Sequence, residues 1–335
     1  MNRLVILAPN WLGDAVMALP AIADVRRAAP AAAITVAARP AIAPLFGLVP
    51  DVNETIVLGR PDAFHAVHAW RTLGAELSGS RFDTAMLLPN SMRAALVASR
   101  AGIPERWGYR TAWRGSLLTR AIDPPSGLHQ VEYYQQLAQA LGFVNGPAVP
   151  GVTVPHDARE AGIRALTGAG WDGRAPLVAL APGAAYGGAK RWPPASFAGL
   201  ADGLGADGVS CVMVGGAADA PTGAEVAALI GRNRRLVNLM GRTDLATLAG
   251  VMAACRAVVT NDSGAMHLAA AVGVSVTAVF GPTDEHATGP LGDAHTVLTH
   301  PVWCRPCLLR ECPLDHSCMR GISVPAALDA ARRTL

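Results

Sequence analysis

Charge is scarce in this sequence: Asp, Glu, Lys and Arg make up 16% of its 335 residues, and no block of Lys and Arg is longer than two. A chain that grips a nucleic-acid backbone needs a basic stripe, so this one is not expected to bind nucleic acid. Its net charge of +3, mostly from Arg, suits a small anionic ligand or an anionic surface, since the guanidinium fork matches phosphate and carboxylate. A bilayer-spanning run is also missing. The most apolar stretch, 28–50, is broken by Arg39 and by Pro30, Pro40 and Pro44. After Arg3, the apolar run Leu4–Ala8 is cut short by Pro9, Asn10 and Asp14, so a first buried strand is expected rather than a leader peptide, in a cytoplasmic protein. No Gly-x-Gly-x-x-Gly fingerprint or Walker lysine loop occurs, which argues against a dinucleotide oxidoreductase or a P-loop enzyme.

What is present is apolar and long. Hydrophobic residues make up 51%, and the length fits two domains. Short continuous apolar runs alternate with helical patterns, the signature of parallel sheets covered on both faces. In the first half strands are expected at 3–8, 33–38, 54–58 and 83–88, with helices at 14–28, 66–77, 91–101 and 131–141. In the second half strands are expected at 177–181, 209–214, 235–239, 257–260 and 274–280, with helices at 196–204, 224–230, 244–254 and 264–271. Leu4-Val5-Ile6-Leu7-Ala8-Pro9 is echoed by Leu177-Val178-Ala179-Leu180-Ala181-Pro182. The expected fold is α/β, with two Rossmann-like domains, 1–150 and 151–322, facing a central cleft. The Gly- and Pro-rich stretch 142–155 links them, and a final helix within 323–335 is expected to pack back on the first domain.

Ligands of such sheets bind beyond the carboxyl ends of the strands, and three loops there carry unusual residues. Pro9-Asn10-Trp11-Leu12-Gly13-Asp14 follows the first strand and opens a helix. Its carboxylate can cap that helix or act as a general base. Pro182–Pro193 contains Gly183, Gly187 and Gly188 with Lys190, a loop whose backbone N–H groups and ammonium suit a diphosphate. Asn261-Asp262-Ser263-Gly264-Ala265-Met266-His267 crowds polar groups onto a strand end and presents a helix N-terminus.

These motifs, with Lys190-Arg191-Trp192-Pro193 and Phe280-Gly281-Pro282-Thr283-Asp284, resemble the lipopolysaccharide heptosyltransferases of glycosyltransferase family 9, in order along nearly the whole chain. The Asn-Trp-Leu-Gly-Asp form and the cysteine-containing tail are most similar to the heptosyltransferase II branch. The resemblance implies a GT-B fold and an inverting transfer of L-glycero-D-manno-heptose from ADP-heptose to the first heptose of the Kdo-lipid A inner core. It also implies peripheral contact with the cytoplasmic face of the inner membrane and no required cofactor. By the same resemblance Asp14 is the catalytic base and Lys190 the diphosphate-binding lysine. Ala185, Tyr186, Thr243, Asp262, Ser263, Gly264 and His267 fall at the donor, Thr243 beside the adenine. Ala185 and Tyr186 stand where relatives carry hydroxyls, and Asp219 lies one place off the family's ribose-binding acid. The acceptor's anionic groups call for basic residues in the first domain. Asn10, Arg60 and Arg120 are the candidates, with Arg93 and Arg114 beside them. Other family-9 transferases, heptosyltransferases I and III among them, and a non-hydrolysing sugar-nucleotide epimerase are the alternatives.

Cys211 and Cys255 fall in buried elements and read as core thiols. Cys304-x2-Cys307-x4-Cys312-x5-Cys318, with His316 close by, is compatible with a structural Zn²⁺, with disulfides, or with reduced thiols, the default in a cytoplasmic protein.

Overall fold

The computed structural model of the chain describes residues 1–59, 82–231 and 235–335. It divides into two compact units, Met1–Thr153 and Val154–Leu335, against an expected boundary at 150/151. The helix expected at 66–77 lies outside the described residues.

The first unit holds a six-stranded parallel sheet of order β3-β2-β1-β4-β5-β6. Its strands are β1 (Arg3–Leu7), β2 (Ala33–Ala38), β3 (Glu54–Val57), β4 (Thr84–Leu87), β5 (Glu105–Tyr109) and β6 (Arg120–Ile122). The second sheet, β12-β11-β10-β7-β8-β9, repeats that order with β7 in the place of β1 and β10 in the place of β4. It comprises β7 (Leu177–Ala181), β8 (Ser210–Met213), β9 (Leu236–Asn238), β10 (Ala257–Asn261), β11 (Ser275–Phe280) and β12 (Thr296–Thr299). In each sheet the order reverses between the first and fourth strands, and that crevice is where an α/β sheet takes its ligand. The loops after β1 and β4, and after β7 and β10, therefore flank the two switch points.

The helices that matter here are α1 (Leu12–Met17), α2 (Leu19–Ala28), α3 (Met92–Arg100), α4 (Gln130–Ala140), α5 (His156–Gly168), α6 (Pro194–Ala206), α7 (Ala220–Leu229), α8 (Leu245–Ala253), α9 (Gly264–Val272) and α10 (Val324–Arg332). The single helix expected at 14–28 is two. Pro20 has no N–H for the carbonyl four residues back and its ring crowds that carbonyl, so it is placed in the first turn of a new helix. The next helix boundary follows from chemistry too: Gly273 adopts φ 89° and stops α9, a left-handed cap that suits glycine.

Continuous apolar strands fill the cores. Leu4, Val5 and Ile6 are fully buried in the first unit; Val178, Ala179 and Leu180 are their counterparts in the second. Helix α10 gives Ala327 and Ala331 to the core of the second unit. Arg332 of that helix pairs with Asp207 just beyond α6.

Helix α5 was not expected, because only Ala158, Gly162 and Leu166 are buried on it. That narrow stripe suffices because α5 crosses α8 at a glycine pair. A Cβ on either Gly162 or Gly250 would run into the backbone of the other helix. Strands β5 and β6 were missed as well: Glu105, Arg106 and Arg120 hide their apolar residues, and both lie toward one side of the sheet.

Candidate active site

The second switch point is the more fully built. After β7 the chain runs through the glycine-rich loop, and after β10 it passes Asn261 and Asp262 into α9. Lys190 Nζ reaches Asp262 Oδ2 at 2.5 Å, with only 13% and 6% of the two side chains exposed. Thr283 Oγ1, from the segment after β11, donates to the same carboxylate oxygen at 2.7 Å. Lys190 is the sole lysine in the sequence, all its other strong bases being arginines. Its ammonium is a compact point charge, unlike the planar guanidinium of the arginines.

Asn261 joins the two loops. It is fully buried; its Oδ1 accepts from Trp192 N at 3.0 Å and its Nδ2 donates to Pro182 O at 2.8 Å. Both ends of the glycine-rich loop are thereby fixed to the end of β10. Trp192 is itself buried and donates its indole N–H to Ile322 O. Asn261 and Thr283 lay within recognised motifs, yet neither was singled out, because an amide and a hydroxyl give no charge signal. We expect Asn261→Ala to weaken ADP binding about 10-fold or more, because it strands a buried N–H and frees both loop ends. Calorimetric titration of the variant with ADP checks this, and unchanged affinity would detach Asn261 from the site.

Tyr186 stands where a phosphate-contacting hydroxyl was in question. Its hydroxyl donates to Leu308 O at 2.8 Å, and its ring is approached by two cations, Lys190 Nζ at 4.7 Å and Arg310 Cζ at 5.1 Å from the centroid. The loop's backbone is engaged by the same segment, Gly188 N donating to Glu311 Oε1 and Ala189 N to Arg310 O. The cysteine-containing segment thus buttresses the glycine-rich loop, a contact that no spacing rule announces. Ala185 is exposed, next to Tyr186 in the same loop.

Ser263 is the N-cap of α9 without a side-chain cap bond, and its hydroxyl faces Thr260 Oγ1 at 3.2 Å. The N-terminal N–H groups of α9 are thus not taken up by that side chain. Gly264 begins the helix and His267 is buried one turn on. Thr243 precedes Asp244, which caps α8 by accepting from Thr247 N at 2.7 Å. The Asp219 carboxylate lies over Gly183, leaving no room there for a Cβ.

In the first unit Asp14 is the third residue of α1 and half-buried. The N-cap is Trp11, so the capping alternative for Asp14 falls away, although its place in the first turn still suits a carboxylate. Tyr134 on α4 is near enough for the Asp14 charge to add to burial in pushing the phenol well above its usual range. Asn10 is exposed ahead of that helix.

The acceptor candidates separate clearly. Arg60 lies outside the described residues. Arg120, on β6, holds its guanidinium 5.2 Å from the Trp107 ring centroid. Arg114 is wholly buried: it donates to Tyr109 O, Pro89 O and Asn90 Oδ1, and burial draws its pKa down to about 10. It staples the loop after β4 to the loop after β5.

Cys211 and Cys255 are core thiols, and burial raises both, Cys211 to about 12. Cys304, Cys307, Cys312 and Cys318 form no disulfide and line, with His316, a cavity of about 170 Å³. Among the described residues no three His, Cys, Asp or Glu side chains are grouped so as to hold a metal ion, and the structural zinc therefore finds no support.

Twin parallel sheets of Rossmann order, each with polar loops at its switch point, make up the GT-B fold. The chain belongs to glycosyltransferase family 9 (heptosyltransferase), which it matches over residues 70–317. It is 34% identical over 304 residues to lipopolysaccharide heptosyltransferase 2 of Escherichia coli K12, covering 88% of this chain and 87% of that one. The corresponding protein of Salmonella typhimurium is 33% identical over the same shares. The solved structure of E. coli ADP-heptose LPS heptosyltransferase II superposes with a TM-score of 0.85 at 31% identity, covering 100% of this chain and 98% of that one. Among the described residues no helix is long and apolar enough to cross a membrane.

Proposed function

We propose that this enzyme transfers L-glycero-D-manno-heptose from ADP-heptose to the first heptose of the lipopolysaccharide inner core, with inversion at the anomeric carbon. The observation that carries the proposal is the Lys190–Asp262–Thr283 cluster at the β7/β10 switch point, tied by Asn261 to a glycine-rich loop. A diphosphate leaving group develops negative charge as the glycosidic bond breaks. Lys190 and the N-terminal N–H groups of α9 are the groups to stabilise it, with Asp262 and Thr283 orienting the ammonium. Asp219, against Gly183, is the candidate for a ribose hydroxyl, and Thr243 for the adenine side.

Asp14 takes the proton of the acceptor hydroxyl as that oxygen attacks from the face opposite the diphosphate. Proton, sugar and leaving group balance without an external reductant or oxidant. Because the acceptor is a lipid, the proposal includes peripheral contact with the cytoplasmic face of the inner membrane. Trp113, 96% exposed in the loop after β5, is a side chain of the kind that settles at membrane interfaces.

The test is acceptor-dependent release of ADP from ADP-heptose, with the acceptor offered as heptosylated and as unheptosylated core. Release only with the heptosylated core supports the reading. Turnover on the unheptosylated core alone would assign the enzyme to the preceding addition.

A further inference from the structure

The first unit gathers positive charge beside the carboxyl end of its first strand. Arg39 is exposed directly after β2, and Arg93 stands in the first turn of α3, just after β4. Since β1 lies between β2 and β4, these two arginines flank the carboxyl end of β1, where Asn10–Asp14 begins. Burial lowers the Arg93 pKa and the neighbouring Arg39 charge lowers it further, so the two guanidinium groups repel one another. Among the described residues neither forms an ion pair. Helix α3 has no acid in its first turn, so Arg93 also opposes the positive end of the helix. Against Pro89–Ser91, at the start of α3, Arg114 holds a third guanidinium, which among the described residues is bound by carbonyls and an amide oxygen. Two guanidinium groups held close at a strand-end edge gain when an anion occupies the space beside them.

We propose that Arg39 and Arg93 form the seat for an anionic group of the acceptor, a carboxylate or a phosphate, beside the hydroxyl that Asp14 activates. This rests on the acceptor reading of the first unit given above. Two guanidinium groups on either side of the β1 loop offer forked donors to one anion and lose their mutual repulsion when it binds. Arg114 is a positioning residue, holding Pro89–Ser91 and hence the start of α3 in place. Arg93 is one of the acceptor arginines weighed from sequence, and Arg39, which no motif marked, joins it.

The test is steady-state kinetics of Arg39→Met, Arg93→Met and the double variant. Each single change is expected to raise the acceptor KM about 10-fold and the pair about 100-fold, with kcat within about 2-fold and the donor KM unchanged. Acceptor KM should also lose most of its salt dependence in the double variant. Two modified acceptors identify the group bound, one dephosphorylated and one with its acidic-sugar carboxyl reduced to an alcohol. Whichever lacks the bound group should no longer distinguish the wild type from the double variant. An unchanged acceptor KM in the double variant, with normal wild-type turnover, overturns the seat and leaves the transfer reading intact. Should the wild type fail to use the acceptor at all, titration with inorganic phosphate and with a free acidic sugar still decides. Binding lost in the double variant supports the seat, and equal binding overturns it.

Discussion

Asp14→Asn is expected to lower kcat by about 10²–10⁴-fold while the affinity for ADP stays within about 2-fold. The change keeps shape and removes the basic lone pair, so it isolates proton transfer from packing. The structure makes the substitution clean in a second way. The helix is capped at Trp11, without a side-chain bond, and Asp14 sits two residues beyond the first helical position. Losing its charge gives up the dipole contribution of about 0.3–1 kcal/mol that a first-turn carboxylate makes. Thermal melting should confirm an intact fold, and rapid-quench kinetics should place the defect in the chemical step. An Asp14→Asn enzyme that turns over normally would remove Asp14 from the role of base, and one that also loses ADP affinity would argue that the substitution had disturbed more than the proton acceptor.

The sequence revealed most where one physical signal dominated. Continuous burial made β1, β2, β7 and β11 legible to within a residue or two, since both faces of such strands are covered. Strands carrying charge near a sheet margin, as Glu105, Arg106 and Arg120 do on β5 and β6, gave no such signal. Helix α5 was hidden because the glycine pair lets it pack through small residues. At the site, loops with charge were found and their neutral supports were not. Lys190 and Asp262 stood out by type and place, whereas Asn261 acts through an amide whose partners lie 69 and 79 residues away in the chain. Arg114 misled in the opposite direction: a charged residue near a ligand edge reads as a contact, and only its burial shows that it serves the loops instead. Arg39 was overlooked because it stands alone in sequence, and its partner comes from a strand two places across the sheet.

Lys190→Met is the substitution expected to harm most, and its effects should divide between stability and chemistry. Asp262 is 6% exposed, and without the ammonium its carboxylate keeps only the Thr283 hydroxyl among the partners described above. Breaking a buried pair by removing one member costs about 3–5 kcal/mol, so the single variant should melt well below the wild type. Lys190→Met with Asp262→Asn removes the stranded charge and should recover most of that loss, because a neutral amide can still accept from Thr283. Catalysis should not recover. Neither variant has the Lys190 ammonium for the leaving diphosphate, and kcat should stay about 10²–10³-fold down in both, with ADP bound more weakly. Lys190→Arg tests shape: a planar guanidinium brings charge but not a point contact at 2.5 Å, and partial recovery of ADP binding without full turnover is expected. The uniqueness of this lysine supplies an independent check, since an amine-directed acetylating reagent can modify only Lys190 and the chain's N-terminus. Inactivation that ADP slows, and that is absent from Lys190→Arg, would place the ammonium at the diphosphate. Melting and activity that recover together in the double variant would mean instead that Lys190 serves only to hold Asp262.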